Sequence, residues 1–246
     1  MSAKTALVTG SSRGIGAAIA RQLVADGWDV ILHYSANQRE AQMLAESLEN
    51  RCLGAIQADL RDPDDTASLW LRARMISEID ALVNNAGIYI PMPFNADAAT
   101  WNQVRTDMMR VNFEAPSELI YSALQDFEKK GRGKVLNVAS RVGFRGESGA
   151  SFYAASKAAL INLTRSLAVE YAEKGIGFFG IAPGWVDTSM AREGMDDRLP
   201  DILPTIPLGR MASPQDCAST ASFLLSDAAS YLSGVVIDIN GASYFH

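Results

Sequence analysis

The stretch "TGSSRGIG", Thr9 to Gly16, follows a short apolar run and opens a pattern with Ile15, Ile19 and Leu23 at helical spacing. Its glycines fall at 10, 14 and 16, a Gly-x-x-x-Gly-x-Gly spacing one residue wider than the common dinucleotide fingerprint. Gly10 suits a tight turn, and Gly14 and Gly16 allow close backbone approach and helix packing. The helix that follows would present free N–H groups and a favourable dipole to a pyrophosphate. An ordinary strand–helix turn can look the same. Position favours the nucleotide reading, because mononucleotide-binding halves begin at the first crossover. Gly10, Ser12, Arg13, Gly14, Ile15 and Gly16 are therefore the first candidate cofactor residues.

The same rhythm continues outward. Apolar runs recur as "ALVTG" (6–10), "DVILHY" (29–34), "LGAIQA" (53–58), "ALVNNAG" (81–87), "KVLNVAS" (134–140), "GFFGIAPG" (177–184) and "GVVIDING" (234–241), with helical patterns between them. Runs with so little polar alternation predict a sheet buried on both faces, hence parallel with helices outside. The expected fold is α/β: a single doubly wound (Rossmann) domain over 1–246, with a seven-stranded parallel sheet and helices on both faces. Two segments break the rhythm, 88–99 and 185–207, and each follows a strand's C-terminal end. Such ends are where an open parallel sheet binds ligands, so the segment at about 185–207 is expected to be a substrate loop.

Composition narrows the function classes. A net charge of −6 and no long basic run argue against nucleic acid or an anionic membrane as the main partner. No apolar run reaches the length of a membrane span, and the N-terminus lacks a signal peptide's apolar core, so a cytoplasmic location is expected. Two cysteines and two histidines leave too few soft ligands for the usual zinc site, so no metal is expected.

Chemistry concentrates in "SFYAASKAAL" (151–160), where Tyr153 stands four residues before Lys157. Positions i and i+4 share a helix face ~6 Å apart. A phenol with a pKa of ~10 is a poor acid and a worse base at neutral pH, and an adjacent ammonium is expected to lower that value. A core tyrosine beside a snorkelling lysine is the plain alternative. Ser140 ends the fifth run, thirteen residues before Tyr153, so the next helix can return to the same sheet edge. Its hydroxyl could polarise a carbonyl while the tyrosine protonates it. Neither histidine is placed to activate Ser140, which disfavours a Ser-His-Asp hydrolase. Asn112 lies four residues before Pro116, whose missing N–H frees the Asn112 carbonyl for a water at the cost of a kinked helix. Asp59 and Leu60, and Asn85, Ala86 and Gly87, end two further strands, where an acid could meet an adenine amino group and small residues a ribose. Singly, these read equally well as turn residues.

Taken in order, "TGSSRGIG", "NNAG", Asn112, Ser140, "YAASK" and "APGWVDT" (182–188) make the whole chain resemble the short-chain dehydrogenase/reductase family. The resemblance implies hydride transfer between a nicotinamide and an alcohol or carbonyl. Tyr153 would be the general acid/base, and Ser140 would orient the carbonyl. Lys157 would bind the nicotinamide ribose and lower the tyrosine pKa, and Asn112 would hold a relay water. Tyr153 and Lys157 would thus also touch the cofactor, while Pro183, Gly184, Val186 and Thr188 would line the nicotinamide. One departure is visible: Phe178 and Phe179 stand where members usually read Val-Asn, which puts local packing in question more than the reaction.

Within the family the pattern is most similar to 3-oxoacyl-[acyl-carrier-protein] reductase-like members, whose relatives also reduce sugars, steroids, diketones and simple ketones. A carbonyl or alcohol substrate is expected, carrier-linked in the first case. Lys129, Lys130, Arg132 and Lys174 could dock an acidic carrier, although a solvated basic face is the simpler reading. Tyr89, Phe94, Val142, Phe144, Arg145, Trp185 and Met190 are candidate pocket residues. The resemblance also implies a homotetramer. A nucleotide-sensing regulator on the same fold is the rival; it would be expected to lack a catalytic group, and none is missing. NADP(H) is expected over NAD(H), because Tyr34 stands where an NAD-binder places its ribose-gripping acid, with Ser35, Asn37 and Arg13 able to meet a 2′-phosphate.

Overall fold

The computed structural model describes residues 3–188 and 199–246. Seven strands, β1 (Thr5–Val8), β2 (Asp29–Tyr34), β3 (Cys52–Gln57), β4 (Ala81–Asn84), β5 (Gly133–Val138), β6 (Ile176–Pro183) and β7 (Val236–Ile239), form one sheet in the order β3-β2-β1-β4-β5-β6-β7. Every pairing is parallel. The main helices are α1 (Gly14–Ala25), α2 (Gln38–Ser47), α3 (Pro63–Ile76), α4 (Ala98–Met109), α5 (Ala115–Lys130) and α6 (Ser151–Tyr171). The short α7 (Leu199–Ile202) and then α8 (Pro214–Leu225) follow.

Strand alternation divides the core between two faces. Ala6, Val8, Val30, Leu32 and Phe179 pack with α1 and α8 on one side. Leu7, Ile31, Leu82 and Phe178 pack with α3 and α5 on the other, where Trp70 and Phe127 meet edge to face at 5.8 Å. The unusual aromatic pair therefore fills both layers from adjacent positions of β6, and both rings are fully buried. Gly177 makes room for Phe179: a Cβ there would lie 2.8 Å from the ring. α1 and α8 come from opposite parts of the chain and are tied by a hydrogen bond that Ser222 Oγ donates to Asp26, 196 positions away.

The segment around Pro116 differs from a simple kink. Between α4 and α5 the backbone takes one π turn, Arg110–Glu114, with the Ala115 N–H bonded to the Arg110 carbonyl. A proline at i+4 removes a donor from the α-helical ladder, and a π turn is one way the register absorbs that loss. Its buried Arg110 guanidinium holds Glu118 at 2.7 and 2.8 Å and Thr66 at 3.0 Å. Among the described residues no helix is long and apolar enough to cross a membrane.

β1 has β2 on one side and β4 on the other, so the chain's winding reverses there. The crevice beyond the C-terminal ends of β1 and β4 is where such a sheet takes a ligand.

Candidate active site

A cavity of about 450 Å³ opens at that crevice. Every cofactor residue expected from the sequence lines it except Gly16, which lies beneath the turn. A Cβ at Gly16 would come within 2.5 Å of the Gly10 carbonyl oxygen, so only glycine lets α1 close on the turn. Gly10 and Gly14 take left-handed φ values of +61° and +57°. Asn85 fixes the turn to β4 by donating from Nδ2 to the carbonyls of Thr9 (2.8 Å) and Gly10 (3.0 Å).

The arrangement fits a dinucleotide. α3, α4 and α8 are capped by the side chains of Asp62, Asp97 and Ser213, whereas Arg13 makes no side-chain cap on α1 and no acid occupies its first turn. The first N–H groups of α1 thus face the cavity with no side chain of their own on them, the state an anion requires. At the far end of the lining stand Arg13, Tyr34, Ser35 and Asn37, and Arg13 has no ion pair among the described residues. Asp59 is committed in part, since its Oδ1 accepts the Arg61 N–H at 3.0 Å.

At the opposite end, Ser140 follows β5 and Tyr153 enters on the first turn of α6. The Ser140 Oγ accepts the Val142 N–H at 3.4 Å, and Ser140 stands close enough to the Tyr153 hydroxyl to pull its pKa down. Lys157, only 3% exposed, donates from Nζ to the Val138 carbonyl at 2.8 Å. Gly87 leaves space between two of these groups: a Cβ there would lie 3.2 Å from Asn112 Oδ1 and 3.4 Å from Lys157 Nζ.

The tyrosine pKa corrects the expectation from the sequence. It is pushed up, to about 12, chiefly by burial, with Tyr89 and Glu147 adding to the rise and only the Ser140 hydrogen bond opposing it. The residue is half-buried and borders the cavity. Lys157 does not reverse the rise. Its Nζ is 5.8 Å from the ring centroid and is itself depressed to about 8 by burial. Asn112 also differs in kind from its expected surroundings. Its side chain is fully buried outside the cavity and clamps Ile88, accepting its N–H (2.8 Å) and donating to its carbonyl (2.9 Å).

Among the candidate pocket residues, Tyr89, Val142 and Trp185 line the cavity, and the Tyr89 and Tyr153 rings meet at 5.1 Å. Phe94, Phe144 and Arg145 do not: Phe94 is 60% exposed, and Phe144 stacks on His246 at 3.7 Å. Met190 and part of the 185–207 segment lie outside the described residues. Sequence reasoning missed Arg141 and Glu147, both on the cavity wall. Arg141 reaches Glu147 at 3.5 Å and Ser243 at 2.8 Å. Three charged residues between Ser140 and Tyr153, Arg141, Arg145 and Glu147, were the available signal.

His33 was also missed. It lines the cavity and is 1% exposed, with its pKa lowered to about 4 by burial first, then by Arg72, against the opposing pull of the Ala58 carbonyl, Asp65 and Asp59. Unfolded, it would titrate near ~6.5. The unfolded chain therefore binds a proton between those values and the folded chain does not, so stability is full above ~6.5 and falls as pH drops towards 4. The loss is roughly 3 kcal/mol at most. Urea unfolding at pH 7 and pH 4 should show His33→Asn losing less than the unaltered protein; an equal loss in both would contradict this.

Comparison with known proteins follows the same lines. A family model described as short chain dehydrogenase matches residues 4–199. The 3-oxoacyl-[acyl-carrier-protein] reductase of Salmonella typhimurium is 38% identical over 98% of this chain and 97% of its own length. A solved structure assigned as an NAD(P)-dependent gluconate 5-dehydrogenase from Beutenbergia cavernae, with NADP at low occupancy, superposes with a TM-score of 0.90 at 33% identity, covering 99% of this chain and 97% of the other. A blue fluorescent protein from a metagenomic library, in complex with NADPH, gives 0.89 at 32% identity, covering 98% of each chain.

Proposed function

The chain belongs to the short-chain dehydrogenase family, and from that premise we propose that it is an NADPH-dependent carbonyl reductase acting on a 3-oxoacyl thioester. As a member it is an NAD(P)-dependent oxidoreductase acting on CH–OH groups. The observation that carries the reaction is Ser140 beside Tyr153 at one end of a cavity whose other end is the glycine turn. The substrate class rests on likeness to the carrier-protein reductases along nearly the whole chain.

When bound, the nicotinamide supplies a hydride to the carbonyl carbon. The Ser140 hydroxyl donates to the carbonyl oxygen and sets its angle. Tyr153 gives its proton to that same oxygen as negative charge develops there, and a phenol with a pKa raised to about 12 is fully protonated for this at neutral pH. Lys157 has two N–H donors beyond the one spent on Val138, enough to hold the ribose hydroxyls. Asn112 keeps the turn after β4 in place through Ile88, and its carbonyl, without an i+4 donor, holds a water that returns the proton to Tyr153.

A free basic patch does not contribute to carrier recognition in this reading. Lys130 is paired with Glu78 (3.0 Å) and Asp80 (3.1 Å), Arg132 with Asp80 (3.5 Å) and Lys174 with Glu128 (2.6 Å). The second reading, a reductase of a small polar ketone or sugar, is favoured by the charged pair Arg141–Glu147 beside the tyrosine. NADPH absorbance decides between them. A 3-oxoacyl thioester should be consumed faster than hydroxyketones or ketoses, and no thioester turnover would remove the first reading.

Self-association to a homotetramer belongs to the same proposal. Tyr121 on α5 (69% exposed) and Val169 on α6 (84%) leave apolar surface on the long helices, and Tyr231 (99%) and Phe245 (79%) do so near the C-terminal strand. Light scattering at micromolar concentration should give four copies; a stable monomer would overturn it.

A further inference from the structure

His33 is a buried, titratable side chain to which the reaction assigns no task. It stands next to the last residue of β2 and binds two other segments at once. Its Nδ1 accepts the Gly10 N–H at 3.0 Å, and its Nε2 lies 3.1 Å from the Ala58 carbonyl oxygen. Its backbone is bound as closely to the next residue of the turn. The His33 carbonyl accepts the Ser11 N–H (2.9 Å), and the His33 N–H donates to Ser11 Oγ (3.1 Å).

The partners determine the tautomer. A backbone N–H only donates, so Nδ1 must carry a lone pair; a carbonyl only accepts, so Nε2 must carry the proton. One neutral form satisfies both, and an imidazolium satisfies only one. Ala58 leads directly into Asp59 and Leu60, which line the cavity, and Gly10 opens the turn at φ +61°. The ring thus fixes the distance between the glycine turn and the loop after β3, the two walls between which a nucleotide's adenosine half must fit.

We propose that His33 is a positioning residue for the adenosine-phosphate half of the cofactor, holding the glycine turn and the post-β3 loop at the separation that half requires. The proposal rests on the NADPH reading above. It places His33 outside the reacting groups: it touches backbone, and acts through Gly10 and Ala58.

Calorimetric titration of the ligand-free protein with NADPH and with 2′,5′-ADP tests it. Losing a buried hydrogen-bond partner on Gly10 costs enough to weaken binding roughly tenfold or more, so His33→Leu should bind both ligands that much less tightly. The weakening should be similar for the whole cofactor and the fragment, with KM for NADPH raised far more than kcat is lowered. A purely structural role would lower the melting temperature and leave both affinities unchanged. Two conservative variants guard against a His33→Leu protein that does not fold. Asparagine places Oδ1 where Nδ1 stood and can accept from Gly10; glutamine reaches towards Ala58 instead. Asn binding 2′,5′-ADP more tightly than Gln supports the proposal, and equal or reversed affinities overturn it. Unaltered protein that binds neither ligand overturns this inference and the cofactor reading together, whereas unaltered protein that binds both while His33→Leu binds equally well overturns the inference alone.

Discussion

Tyr153→Phe should abolish carbonyl reduction while leaving NADPH binding largely intact. The substitution keeps the ring and its 5.1 Å contact with Tyr89, and removes only the hydroxyl. Ser140 retains its bond from the Val142 N–H, so the segment after β5 keeps its anchor. What disappears is the proton donor. General acid–base catalysis contributes ~10²–10⁴-fold, and loss of the group that gives up its proton to the carbonyl oxygen should cost at least that much. Stopped-flow or steady-state NADPH consumption would measure the loss, and fluorescence titration the retained affinity. Turnover near that of the unaltered protein would eliminate the proposed mechanism. On the alkaline side the first of the pair to lose its proton is Lys157, at about 8, with Tyr153 retaining its own to about 12.

The second large effect concerns the other end of the cavity. Tyr34→Asp should reverse the preference for NADPH, and Arg13→Ala should erode it. Tyr34 ends β2 on the cavity wall, with Ser35 and Asn37 beside it and Arg13 across the turn. A carboxylate at position 34 would accept from both ribose hydroxyls and repel a 2′-phosphate. A charge-assisted hydrogen bond contributes roughly 1.5–3 kcal/mol, about ten- to a hundredfold in affinity. Ratios of kcat/KM for the two nicotinamides report the change. If the unaltered protein uses NADH as well as NADPH, the reading of this strand end fails.

Much of this architecture can be read in the sequence because its signals are local. Each apolar run became a strand of one parallel sheet, and the glycine spacing marked the turn where β1 meets α1. Ser140 and Tyr153 were expected at one sheet edge because a strand end and the next helix start must return there. What escaped depends on depth and on distant neighbours. The direction of the Tyr153 shift follows from how far the phenol is buried, which a four-residue spacing to Lys157 does not encode. Asn112 acts through a backbone 24 positions away, and His33 through amide and carbonyl groups 23 and 25 positions away. Arg141 shows the same limit, since its Ser243 partner is 102 positions distant.

The pairing of α1 with α8 bears on how the chain reaches this state during synthesis. The first half of the molecule can form β1 through β4 and cover one face with α3, yet the other face, with Ala6, Val8 and Leu32 beneath it, has α1 but lacks its second helix until residues 214–225 emerge. Contacts such as Lys4–Asp227, 223 positions apart, close late and make folding slow for a domain of this size. Until then a nascent chain displays part of an apolar sheet face to the proteins around it. Its yield in a cell should therefore respond to translation rate and to chaperone supply more than its final stability would imply.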